Sequence, residues 1–150
     1  MGQRITSRYR APWWLKSPHL QTILPTLLRK RISLAFTWER LELKDGDFID
    51  LAWYSRPDAP LVLMMHGLEG SLNSHYASTL VKALHEAGFS VVFMLLRGRG
   101  REPNRLAKSY HSGASSDLAE VLAQLKARGQ MPAAAVGVSL SANLLLKYLG

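Results

Sequence analysis

The chain has 150 residues, enough to bury one compact core, and 47% of them are hydrophobic, as in a globular protein rather than a disordered one. It contains no cysteine, which excludes disulfides, thiolate metal sites and a cysteine nucleophile and suits a reducing compartment. The net charge of +8 is uneven, because residues 1–40 carry eight Lys/Arg against a single acid, Glu39, while the rest of the chain is close to neutral.

The charge bias therefore belongs to the N-terminal segment. It reads first as a solvated basic arm and second as an attraction to an anionic membrane surface. Nucleic acid is not expected as a partner, since no reader motif accompanies the charge. No run of about 18 apolar residues marks a membrane span, and no continuous apolar stretch follows the first charges as a secretory signal would require. A cytoplasmic location is expected, with peripheral membrane contact through residues 1–31 as the sharper alternative.

Residues 1–17 read as an extended arm with an apolar Trp13-Trp14-Leu15 cluster among Arg8, Arg10 and Lys16. From Pro18 the periodicity turns helical, with Leu20, Ile23, Leu24, Leu27 and Leu28 on one face. Pro25 is expected to kink or split that helix, and Arg29-Lys30-Arg31 suits its C-terminal dipole. This helix is expected to cap the domain or, alternatively, to lie in a membrane interface. Residues 32–43 then alternate through Ile32, Leu34, Phe36, Trp38, Leu41 and Leu43, and residues 48–54 alternate through Phe48, Leu51 and Trp53. Asp45-Gly46 between two such runs predicts an antiparallel hairpin whose two turn residues both take positive φ.

The pattern changes after the Pro57–Pro60 loop. Leu61–Met65 is a continuous apolar run, as expected of a strand buried on both faces. A helix follows at 75–87, capped by Asn73 or Ser74 and stopped by Gly88. Next come a buried strand at 91–96, a Gly/Arg-rich loop over Arg97–Arg105, a helix at 114–128 stopped by Gly129, and a strand at 133–138. Buried strands alternating with amphipathic helices predict the α/β class: a mostly parallel sheet with helical crossovers, preceded here by the antiparallel hairpin.

In such a sheet the functional residues gather at the carboxyl ends of the strands. Gly137-Val138-Ser139-Leu140-Ser141 has the form of a nucleophile elbow, with a strand before it, a helix after it and small residues two positions either side of Ser139. Ser139 reads as a catalytic nucleophile, the alternative being a helix N-cap. Acyl transfer needs two donors aimed at the developing oxyanion. The Leu140 N–H is one, at the start of a helix whose free N–H groups favour an anion. The Leu68 N–H, in His66-Gly67-Leu68-Glu69-Gly70 after the earlier buried strand, is the other. His66 precedes the serine and reads as a structural histidine bridging loops, since the base of such a site comes later in the chain. Arg97–Arg105 matches no phosphate-binding fingerprint and reads as a solvated rim. His111 and Asp117 could mimic a base–acid pair, but Asp117 in a first helical turn is explained by the helix dipole. No metal and no cofactor is expected.

Together, HGLEGSLNSHY, RGRGREPNRLAKSYHSG and GVSLSANLLLKYLG, with APWWLKSPHLQTILPTL and LELKDGDFIDLAW before them, closely resemble the YheT-like branch of the α/β-hydrolases. The resemblance runs from about residue 11 onward and divides the chain into an arm and cap helix, 1–31, and the N-terminal half of a hydrolase domain, 32–150. It implies a carboxylic ester hydrolase of the esterase or lipase type acting on a small-molecule or lipid ester, with Ser139 in the nucleophile position and Leu68 and Leu140 in the oxyanion positions. The family's acid and histidine belong to its second half, which is missing here. The competing expectations are a catalytically inactive truncated fragment and a membrane-associated N-terminal module. Two departures stand out. Ser141-Ala142 replaces the usual Gly-Gly and adds crowding at the elbow. Arg99 stands where the Arg-Gly loop often carries Cys, a change expected to alter only the rim. The oligomeric state has no signature in the sequence.

Overall fold

The structure is a computed structural model that describes residues 7–28 and 32–150. The chain forms two compact units, 1–30 and 31–150. In the first, a single 3-10 turn at Trp13–Leu15 precedes helix α1, Pro18–Leu28. The Gln21 amide donates to the Leu15 carbonyl at 2.8 Å and ties the turn to the helix. The helix is not split: it runs through Pro25, whose missing N–H forgoes one helical hydrogen bond without ending the element. The basic triplet at 29–31 lies outside the described residues. Among the described residues no helix is long and apolar enough to cross a membrane.

The second unit is built on a five-stranded sheet. In chain order the elements are β1 (Thr37–Glu42), β2 (Phe48–Tyr54), β3 (Leu61–Met65), α2 (Ala77–Glu86), β4 (Ser90–Met94), α3 (Ser115–Ala127), β5 (Ala134–Gly137) and α4 (Leu140–Leu149). In space the strands run β1-β2-β4-β3-β5. The hairpin β1–β2 is antiparallel and joins β4 antiparallel, with Leu51 opposite Met94. The strands β4, β3 and β5 are parallel, with Met65 opposite both Met94 and Gly137.

This topology explains the apolar runs. Alternate residues of one strand feed two cores, because helices cover both faces. Leu63, Met65, Val92 and Met94 pack with Leu118, Val121, Leu122 and Leu125 of α3 and Leu144 of α4. Met64, Val91 and Phe93 pack with Ala77 and Val81 of α2 on the other face. Helices α2 and α3 stop where the sequence places Gly88 and Gly129. Both glycines take positive φ, +95° and +71°, and Phe89 and Gln130 donate back to Leu84 and Leu125, five residues earlier. That is the Schellman pattern, in which a left-handed residue closes the last turn.

Three expectations are corrected. The hairpin forms, but its turn is not the primed pair: only Gly46 has positive φ, +85°. Gly46 donates to Leu43, and Leu43 to Asp47, a three-residue loop ending in a left-handed glycine rather than a two-residue one. The first strand starts at Thr37 instead of 32. The Ile32 N–H instead reaches Ser78 Oγ of α2, at 3.3 Å, and Leu34 and Phe36 pack into the α2-side core rather than pairing with β2. Neither Asn73 nor Ser74 caps α2, whose N-cap position is Tyr76 without a side-chain bond. Ser74 Oγ instead accepts from the Ser71 N–H, holding the loop before the helix.

Candidate active site

The crossover from β3 goes to β4 on one side, and β5 lies on the other. Chain connections diverge there, which opens a crevice at the carboxyl ends of these strands. Three segments enter it: residues 66–70 after β3, 97–101 after β4, and Ser139 after β5.

Ser139 sits at φ +52°, ψ −112°, between strand and helix. This backbone region is open to glycine and costs a residue with a Cβ about 1–3 kcal/mol. Its side chain makes no capping bond, so it is not spent as an N-cap. The turn is tight enough that a Cβ on Gly137 would lie 2.6 Å from the Ala142 nitrogen and from Ser141 backbone atoms. Those atoms are main chain, so α4 itself would have to move. Gly137→Ala is therefore expected to destabilise the protein by about 1–3 kcal/mol, measured as a lower urea midpoint; an unchanged midpoint would contradict this packing. Ser141 is accommodated rather than excluded: it is fully buried, and its hydroxyl donates to the His66 carbonyl. The crowding expected at that position is thus converted into a tie between the elbow helix and the end of β3.

The loop after β3 lies against the elbow. A Cβ on Gly67 would come within 3.2 Å of the Ser139 Cβ and of the Val138 carbonyl oxygen, so glycine eases the approach. Leu68 follows directly, its side chain exposed. Among the described residues neither the Leu68 nor the Leu140 N–H has a hydrogen-bond acceptor in the chain. The structure thus brings Ser139, Leu140 and the Gly67-Leu68 peptide to one place. His66 is fully buried. Its Nε2 accepts the Leu96 N–H at 3.1 Å, which leaves the ring proton on Nδ1, 2.7 Å from the Gly67 carbonyl. Burial pushes its pKa below the ordinary histidine value, so the ring stays neutral and bridges the two loops. Tyr76, which the sequence did not single out, accepts the Gly67 N–H at 3.0 Å. Among the described residues no histidine is hydrogen-bonded to Ser139, and no group of three or more His, Asp or Glu is placed to hold a metal ion.

The Gly/Arg-rich loop is not simply a solvated rim. The Arg97 side chain is 1% exposed and lies at the centre of an ion cluster. It donates to both oxygens of Asp117 at 2.9 Å and to Asp47 Oδ2 at 2.7 Å, and pairs with Asp45 at 3.0 Å. Asp117 is thereby committed to Arg97, which removes it from any pair with His111. The same loop is fastened to the hairpin by Asp47, which accepts from Asn104 and the Arg105 N–H, and by Asp50, which accepts from Arg40 and the Arg101 N–H.

Burial pushes the Asp47 and Asp50 carboxyls up. The hydrogen bonds outweigh it and hold both below the usual carboxylate range: Asn104, the Arg105 N–H and Arg97 at Asp47, Arg40 and the Arg101 N–H at Asp50. The unfolded chain therefore binds more protons in acid than the folded one. Their contribution is complete above the unfolded carboxyl value of about 4 and is lost as pH falls below it. Urea midpoints are expected to drop between pH 4 and pH 2.5, and Asp47→Asn should flatten that dependence; a midpoint independent of pH over this range would contradict it.

The family model described as the alpha/beta hydrolase fold matches residues 60–150. The chain belongs to the α/β-hydrolase family. It is 48% identical to YheT of Escherichia coli (strain K12) over 132 residues, 85% of this chain and 39% of that protein. It is 26% identical to phospholipase ABHD3 of Bos taurus, covering 97% of this chain and 38% of the relative. It is also 33% identical to the medium-chain fatty acid ethyl ester synthase/esterase 2 of Saccharomyces cerevisiae, over 75% of this chain and 26% of the relative. The chain thus spans about two fifths of YheT and of ABHD3. In fold it resembles the Pyrococcus furiosus esterase Pf2001, with a TM-score of 0.64 and 19% identity over 77% of this chain and 46% of that one. An alpha-beta serine hydrolase homologue from Coxiella burnetii gives 0.61 and 19% identity over 78% of this α/β-hydrolase chain and 58% of its own.

Proposed function

We propose that this α/β-hydrolase chain carries the nucleophile and oxyanion hole of a carboxylic ester hydrolase. The observation that supports this best is the backbone of Ser139, held at φ +52° with an uncommitted side chain beside the Gly67-Leu68 peptide. A residue held in such a region without a structural bond to justify it points to function. Ser139 Oγ attacks the acyl carbonyl carbon, its proton passing to a general base. The Leu68 and Leu140 N–H groups receive the oxyanion of the tetrahedral intermediate. Collapse expels the alcohol with a proton and leaves an acyl-serine ester. Water then cleaves the ester, releasing the acid and restoring Ser139.

The family resemblance implies that the base and its acid partner belong to the second half of the family's hydrolase domain. The substrate class, a small-molecule or lipid ester, rests on the relatives named as a phospholipase and as a fatty acid ethyl ester synthase/esterase. The test is fluorophosphonate labelling of the native protein with peptide mapping. Cleavage after Arg128 and Lys147 yields the peptide 129–147. An adduct on its Ser139 is the expected result. A folded native protein that takes no label, or takes it on another serine, would overturn the proposal.

A further inference from the structure

We infer that Arg99 is a positioning residue for the oxyanion hole, acting on the Leu68 N–H through the peptide planes of the loop after β3. The inference rests on the hydrolase reading above. It goes beyond the expectation that Arg99 alters only the rim.

A peptide plane carries the carbonyl of one residue and the N–H of the next, pointing in opposite directions when trans. The Leu68 N–H therefore points away from whatever holds the Gly67 carbonyl. That carbonyl accepts from His66 Nδ1 at 2.7 Å and from the Gly70 N–H at 3.0 Å. The Gly70 N–H shares its own plane with the Glu69 carbonyl, and this carbonyl accepts from Arg99 Nη2 at 2.8 Å. The next carbonyl, of Gly70, accepts from Arg99 Nε at 3.2 Å. One guanidinium thus grips two successive carbonyls, fixing the plane that fixes the Gly67 carbonyl and hence the direction of the Leu68 donor. A planar fork suits this task, whereas an ammonium presents a single point.

The loop needs such a grip. The 67–70 turn places Glu69 at its third position with φ +53°, a site that a type II turn reserves for glycine. Tyr110 completes the hold from the other side: its hydroxyl accepts the Glu69 N–H at 2.9 Å and donates to the Glu69 carboxylate at 3.2 Å. The ion pair between Arg99 and the Glu69 carboxylate is itself exposed, so its Coulomb energy is small. The two bonds to main-chain carbonyls carry the positioning.

The test uses the native-length protein with a chromogenic ester, in wild type, Arg99→Met and Arg99→Lys. Losing one oxyanion donor outright costs about 10²–10³ in kcat. Misdirecting one is expected to lower kcat at least about tenfold in Arg99→Met with KM held within about twofold. Arg99→Lys, which reaches one carbonyl, should fall between Arg99→Met and wild type. If Arg99→Met fails to fold, Arg99→Lys decides. Folded Arg99→Met with kcat within twofold of wild type, or with its whole deficit in KM, would overturn the inference, as would Arg99→Lys indistinguishable from wild type where Arg99→Met does not fold. Failure of wild type itself to take label at Ser139 would instead overturn the hydrolase reading.

Discussion

Arg97→Met is expected to destabilise the protein by about 3–5 kcal/mol, seen as a lower urea midpoint with an unchanged slope. The methionine fills much of the arginine's volume but leaves the buried Asp47 carboxylate without its cation and Asp117 with only Lys108, at 3.7 Å. Breaking a buried pair from one side is the costly operation, because the remaining charges keep their desolvation without its compensation. Replacing the group together, for instance Arg97→Met with Asp47→Asn and Asp117→Asn, should recover much of the loss. Asn104 and the Arg105 N–H also bond Asp47, so the single change should loosen the loop after β4 as well. A single variant within 1 kcal/mol of wild type would show that the cluster is not the anchor its geometry implies.

Ser139→Ala and Ser139→Gly are expected to share one effect and differ in another. Both remove the proposed nucleophile, and kcat for ester hydrolysis by the native-length protein should fall by on the order of 10⁶. Stability separates them. Alanine keeps a Cβ at φ +52° and leaves the strain in place, whereas glycine relieves it and should raise stability by about 1 kcal/mol. Calorimetric melting of the three proteins measures this directly. A glycine variant less stable than the alanine variant would mean that the elbow is not strained. Ester hydrolysis retained by either variant would place the chemistry elsewhere.

The fold was largely legible in the chain. Leu61–Met65 and Val91–Leu96 announce doubly covered strands because helices on both faces leave no position for a polar side chain, and Gly88 and Gly129 mark helix ends because each adopts a left-handed conformation. What escaped is what only tertiary placement decides. The turn after β1 has an Asp-Gly signature, yet the bond between Leu43 and Asp47 selected a longer loop. The alternation over 32–36 resembled a strand, but those residues found partners on α2.

The site was readable in its local parts and not in its long-range ones. Gly137, Ser139 and Leu140 are neighbours in sequence, so their spacing carries the elbow. Arg97 looked like surface because arginine in a glycine-rich loop usually is; its three carboxylate partners come from a turn and a helix tens of residues away. Tyr76, Tyr110 and Arg99 reach the loop after β3 from three separate segments, with no periodicity to betray them. The substitution Ser141-Ala142 was visible, but not the hydrogen bond to His66 that absorbs it.

The most direct measurement is to trap the acyl intermediate. The native protein is mixed with a p-nitrophenyl ester, quenched in acid within the burst, and digested to the peptide 129–147. That peptide is expected to gain the mass of one acyl group, with fragment ions placing it on Ser139 and none on Ser141. A burst of p-nitrophenol with the acyl group on any other residue, or hydrolysis with no acylated peptide at any quench time, would contradict Ser139 as the nucleophile.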